Sequence, residues 1–174
     1  RLLFLHDRRD PRGQCTARVR GAGMATIFKT PAELLGAVGK QLGHSEWLLI
    51  DQERINKFAD ATGDHQWIHV DPIKAADGPF GTTIAHGFLT LSLANLFLPE
   101  LIRTTHFSMG VNYGADNIRF PATVPVDSMV FATGEVLSVD EAKGGIRLIV
   151  KVSVFVEGSE RPACIVDTIS LMYP

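Results

Sequence analysis

Asp64 and His69 stand five positions apart in a turn-rich stretch. A carboxylate and an imidazole brought to one water can work as an acid/base pair: one takes a proton from water, the other gives one to carbon. The pair lies in the run Asp60-Ala-Thr-Gly-Asp-His-Gln-Trp-Ile-His-Val-Asp-Pro72, followed by Phe80-Gly-Thr-Thr-Ile-Ala-His-Gly-Phe88. Polar, titratable residues here interrupt hydrophobic runs in which a fold needs only packing, a mismatch that marks sites. Taken singly, Asp64 reads as a turn residue after Gly63 and His69 as a satisfied, partly buried histidine. The pair gains force from His86-Gly87 downstream, which opens a long apolar segment. At the start of a helix, free N–H groups and the helix dipole favour developing negative charge. Glycine at that place lets a carbonyl oxygen approach the backbone and be polarised. Gly87 equally suits tight packing of a helix on a sheet, and the sequence leaves both open. His86 reads as scaffold, bonding the loop and holding Gly87.

Metal ligation is the weaker reading. His65, His69, Asp64, Asp71 and His86 are all possible ligands, but their order matches no tight ligand spacing. His65 and His69 are four apart, yet turn residues surround them. Trp67 and Phe80 either line a pocket or pack. Ser92 and Asn95 are polar on an apolar helix and need partners. Arg119 is either a surface charge or a contact for an anionic ligand.

The elements that must position these groups follow from punctuation and periodicity. Thr30, Pro31 and Glu33 form the pattern of a capping box, starting a helix that runs to about Val38. Residues 45–50 read as a strand. Asp51 caps a helix with Ile55, Phe58 and Ala59 on one face, ending near Thr62-Gly63. A turn-rich region with a short helix at Pro72–Ala76 leads to the segment from His86 to Leu98, apolar on nearly every side, which reads as a wholly buried helix ended by Pro99. Four stretches rich in Val, Ile and Phe follow at about 107–120, 128–139, 145–157 and 162–173, with Gly144-Gly145 as a tight hairpin. Strands segregated from helices imply an α+β fold, an antiparallel sheet curved round one long apolar helix.

The bulk figures agree. The chain has 174 residues, 45% of them hydrophobic, enough for one domain with a real core and too few for two ordinary ones. A formal net charge of -2 gives no electrostatic case for nucleic acid or an anionic membrane, and no apolar run is long enough to span a bilayer. Cys15 and Cys164 form no metal-like or redox-like spacing, so a cytoplasmic location is the simplest expectation. Residues 1–23 hold six arginines against two aspartates and lack periodicity. We read them as a disordered leader or extension, and residues 24–174 as the single domain.

The joint pattern of Gly63-Asp64, four residues, His69-Val70-Asp71, then Phe80, three residues, Ile84-Ala85-His86-Gly87 resembles the hydratase-2 motif of the MaoC-like dehydratases. The run from Thr62 to Pro72 is similar to the nodulation-protein-N-like branch, and Arg119–Ser128 to the strand and turn after the family's central helix. The resemblance covers roughly residues 25–174. It implies a hot-dog fold and an R-specific enoyl-CoA hydratase: reversible syn hydration of a trans-2-enoyl thioester, on coenzyme A or an acyl carrier protein, to the (3R)-3-hydroxyacyl thioester. By position it assigns Asp64 and His69 to water activation and the Gly87 N–H to the thioester carbonyl, with His86, Trp67, Phe80 and Asn95 as possible pocket residues. It implies a homodimer with the site near the interface, and no metal or redox cofactor. The chain departs from the family where Gln66-Trp67 replaces a common Asn-Pro, and Asn95 stands where some members place a serine.

Two other readings share the fold. A hot-dog thioesterase commonly has a carboxylate on or near the central helix, and Gly87–Leu98 contains none. A non-catalytic acyl-thioester-binding module keeps the pocket without needing the dyad.

Overall fold

From the amino end of the computed structural model, which describes residues 25–174, the chain forms strand β1 (Thr26–Phe28), a 3-10 turn (Pro31–Gly36), β2 (Gln41–His44) and β3 (Leu48–Ile50). Helices α1 (Gln52–Thr62), α2 (Trp67–Val70), α3 (Pro72–Ala76), α4 (Gly87–Ser92) and α5 (Ala94–Leu101) follow. Then come β4 (Ile102–Thr104), β5 (Met109–Arg119), β6 (Ser128–Ala142), β7 (Gly145–Val156) and β8 (Cys164–Tyr173). The leader expected at residues 1–23 lies outside the described residues.

The main sheet is antiparallel, ordered β2-β6-β7-β8-β5, with β3 also paired to β6. Period-two alternation decides which side is the core. In β7 the side chains of Ile146, Leu148, Val150, Val152 and Val154 are buried, and they pack with Val130 and Val136 of β6 against Phe97 and Leu101 of α5. Each such side chain fully withdrawn from water contributes roughly 1.5–3 kcal/mol. The expected α+β architecture, a sheet curved round a central helix, is the one observed. The Gly144-Gly145 hairpin is present, with Gly144 at φ 81°. A Cβ on Gly145 would stand 2.2 Å from the Met172 carbonyl oxygen, so only glycine lets β8 approach β7 there.

Asp51 caps α1 as expected, accepting from the Arg54 N–H at 2.8 Å, and Gly63 ends it in the left-handed region at φ 79°. Other expectations need correction. The Thr30 side chain makes no cap; the Glu33 carboxylate accepts from the Lys29 N–H instead, and the segment settles as a 3-10 turn. The strand expected over 45–50 is divided, because buried Ser45 turns its hydroxyl to the Ala132 N–H and breaks the ladder between β2 and β3. Strand β1 pairs in parallel with β4, a small second sheet with no local signal.

The central helix differs most. It is two segments meeting at Leu93, where the Leu96 N–H bonds back to Leu93 O in a tightened turn. Pro99 lies inside α5 rather than ending the helix; its ring costs one bond to Asn95 near the end of the helix. Nor is the helix buried all round: Phe88 is 66% exposed, and Ser92, Asn95 and Leu96 share its open stripe. The sheet covers one side only. Beside the stripe, nearly every residue of the edge strand β5 is exposed.

Candidate active site

Local chemistry explains how Asp64 and His69 come together. Gly63, in a conformation that penalises any Cβ, turns the chain out of α1, so Asp64 leaves at once in a new direction. After Gln66, Trp67 to Val70 wind into the single turn of α2, a helix inside the stretch expected to be turn-rich. Asp71 follows as the cap of α3, accepting from the Lys74 N–H at 3.0 Å. The opposing wall is residues 83–86. Its backbone is held from both sides: Ile84 N–H donates to Ile68 O at 3.0 Å, Ala85 N–H to Val124 O at 2.8 Å, and Val126 N–H to Thr83 O at 2.9 Å.

His69 and His86 are 7% and 3% exposed, and their rings stack with centroids 3.8 Å apart. The Nδ1–H of His69 donates to the Ile84 carbonyl at 2.7 Å. That bond fixes the tautomer and leaves Nε2 with its lone pair as a proton acceptor. Burial is the main cause that lowers the His69 pKa from its ordinary 6.5, and the neighbouring His86 adds to it; the Ile84 bond and the Asp64 charge oppose them. His86 donates from Nε2 to the Asp64 backbone carbonyl at 2.9 Å. It thus holds the loop, as expected of scaffold, while Phe58 packs against its ring. Its buried Nδ1 has no partner among the described residues. Asp64 is exposed, and among the described residues its carboxylate takes only a long 3.4 Å bond from the Gln66 N–H.

Asp64, His69 and His86 each offer an atom of metal-ligand type within 4.8 Å of the others. The two imidazole planes are only 24° from parallel. Lone pairs lie in the ring planes, and planes so nearly parallel meet far beyond the reach of a metal–nitrogen bond. The stacked pair therefore suits proton transfer better than ligation.

The remaining candidates disperse. Gly87 begins α4, and a Cβ there would stand 3.1 Å from the Phe120 ring, so the glycine admits that aromatic. Trp67 packs over Gly78, where a Cβ would come within 2.8 Å of its ring, and Lys74 Nζ lies 5.0 Å from the ring centroid. Phe80 is half-exposed. His65 pairs with Asp60 at 2.9 Å on the surface, and that hydrogen bond raises its pKa. Ser92 bonds back to Phe88 O, and Arg119 to Ile118 O. Asn95 lies away from the dyad, on a largely apolar cavity of about 240 Å³ with Leu98, Ile102, Val111 and Met172. The central helix, extended to Leu101, does include one carboxylate, Glu100, which accepts from the Glu46 N–H at 2.9 Å. Buried Cys164 has its thiol pushed up to about 11 by desolvation, which suits a core residue.

One group escaped the sequence reading. Gln52, the first residue of α1, donates to the His69 carbonyl at 2.7 Å. An amide there has no spacing that announces a role.

The chain matches the family model described as "MaoC like domain" over residues 33–157. It is similar to 3-hydroxyacyl-thioester dehydratase Z of Mycobacterium tuberculosis (strain ATCC 25618 / H37Rv), 48% identical over 143 residues, 82% of this chain and 95% of that protein. Nodulation protein N of Rhizobium leguminosarum bv. viciae is 43% identical over 148 residues, 81% of this chain and 89% of that one. Among solved structures, the unliganded R-hydratase PhaJ1 from Pseudomonas aeruginosa superposes with a TM-score of 0.67 at 22% identity, covering 83% of this chain and 85% of that one. At that identity the likeness speaks for the hot-dog fold.

Proposed function

Because this chain belongs to the MaoC-like dehydratase family, which makes it a hydro-lyase, we propose that it interconverts trans-2-enoyl thioesters and (3R)-3-hydroxyacyl thioesters, with coenzyme A as the thiol. The observation that carries this reading is the His69 ring, tied through Nδ1–H to Ile84 O and with a ring nitrogen within 4.8 Å of an Asp64 carboxylate oxygen. In the hydration direction, His69 Nε2 takes a proton from a water that the Asp64 carboxylate also holds. The hydroxyl oxygen bonds to C3, and the C2–C3 π electrons pass to the thioester oxygen. The Gly87 N–H donates to that oxygen, where negative charge develops. The enolate collapses as C2 takes a proton back from the dyad on the same face. The addition is therefore syn, and the dyad returns to its starting state. Dehydration runs the same steps in reverse.

The open stripe of the central helix and the exposed edge of β5 support a homodimer. An unpaired edge strand next to exposed Phe88, Leu96, Val111 and Tyr113 invites a second copy.

The test is loss of enoyl-thioester absorbance with crotonyl-CoA and longer enoyl-CoAs. Wild type should hydrate at least one chain length, and Asp64→Asn should be slower by about 10²–10⁴-fold. No hydration at any length would reject the reading in favour of a binding module; an undiminished rate in Asp64→Asn would reject the role given to Asp64.

A further inference from the structure

We infer that Gln52 is the positioning residue of this dyad: its amide closes a ring of hydrogen bonds that fixes the direction and tautomer of the His69 imidazole. The inference rests on the hydration reading and adds a residue to it. Asp51, by capping α1, sets Gln52 at the helix start, where its side chain reaches two other segments. Its Nε2 donates to His69 O at 2.7 Å and to Asn56 Oδ1 at 2.9 Å. Its Oε1 accepts from the Thr83 hydroxyl at 2.5 Å. Thr83, only 1% exposed, directly precedes Ile84, whose carbonyl accepts the His69 Nδ1–H at 2.7 Å. The path therefore runs from the His69 main chain through Gln52, Thr83 and Ile84 and returns to the ring of the same histidine.

The chemistry of each link leaves little freedom. The His69 carbonyl can only accept, so the amide must present its nitrogen there and its oxygen to Thr83. Both amide hydrogens and the oxygen are then used. Glu in that place would keep the acceptor and lose both donors; Asn falls a methylene short; Leu satisfies nothing. One main-chain bond, from the Ile84 N–H to Ile68 O, already holds the two walls together. The amide sets how the His69 carbonyl is turned relative to the Ile84 carbonyl, and so where Nε2 points. A reacting atom displaced by about 1 Å can cost on the order of 10² in rate.

The experiment follows the histidine side-chain nitrogens by NMR across pH in wild type, Gln52→Glu, Gln52→Leu, Thr83→Val and Thr83→Ser, beside kcat and KM with crotonyl-CoA. Wild-type His69 should be the Nδ1–H tautomer and titrate below 6.5. In Gln52→Leu and Thr83→Val the tautomers should mix and the midpoint rise towards 6.5. Their kcat should fall roughly ten- to hundred-fold with KM little changed. Thr83→Ser should restore wild-type behaviour, and Gln52→Glu should fall between. The double variant Gln52→Leu/Thr83→Val leaves no buried hydroxyl orphaned and serves if a single variant unfolds. An unchanged His69 tautomer and titration in a folded Gln52 variant overturns the inference. So does a loss of kcat that merely follows the folded fraction. If wild type hydrates nothing, the hydration reading fails, and the NMR still decides whether Gln52 sets the imidazole.

Discussion

In the proposed reaction His69 acts as a neutral base, and the burial that disfavours its charged form has a sign that can be tested. Its folded pKa lies below 6.5, chiefly through desolvation, so the acid limb of kcat/KM should fall below pH 6.5; a limb at or above that value would count against His69 as the base. The unfolded imidazole protonates near its ordinary value, at higher pH than the folded one. Stability linked to His69 is therefore present at neutral pH and lost as pH falls through 6.5 towards the lower folded value. Thermal melts from pH 8 to pH 5 should show that decline, and His69→Gln should lessen it. Asp64, His69 and His86, which the fold brings within 4.8 Å of one another, were legible in the sequence because titratable side chains stand out between apolar runs. Gln52 and the Ile84 carbonyl were not. An amide 17 residues before its partner looks like any helix surface residue, and a main-chain acceptor has no signature at all. Trp67, a candidate for the pocket, instead spends its ring on Gly78 and Lys74.

At the scale of elements, the strong signals were those in which one side chain settles the outcome locally. Asp51 and Gly63 bound α1, and the runs rich in Val, Ile and Phe gave the four strands β5 to β8 to within a few residues. What was misread depended on neighbours far along the chain. Ser45 divides a strand because its hydroxyl finds Ala132, and β1 exists because β4 lies beside it. The apolar helix reads as buried on all sides because composition does not say that the sheet covers one side only. Gly145 is the sharpest test of the hairpin. Gly145→Ala would drive a Cβ into the Met172 carbonyl, so we expect a loss of about 1–3 kcal/mol, read by urea titration. Gly144→Ala meets nothing within 4 Å and should cost only the strain of its left-handed backbone, on the order of 1 kcal/mol. Equal losses for the two would show that β8 moves aside.

For the whole molecule, β5 and the helix stripe run together on one side, where Phe88, Leu96, Val111 and Tyr113 are exposed. Tyr113, 66% exposed in mid-strand, should become partly buried in the proposed homodimer. Tyr113→Glu should shift the protein to monomer in sedimentation velocity; an unchanged dimer would place the interface elsewhere. Among the described residues, no helix is long and apolar enough to cross a membrane. The order of strands also carries a temporal consequence during synthesis. Strands β6, β7 and β8 follow one another by short connections and can pair as they emerge. Ser45, by contrast, must wait for Ala132, 87 residues later. At roughly 5–20 residues per second, that interval is on the order of ten seconds. For most of it, the segment that bears Asp64 and His69 has left the ribosome without the sheet that will back it, and the apolar helix that emerges in its second half is a natural client for a chaperone.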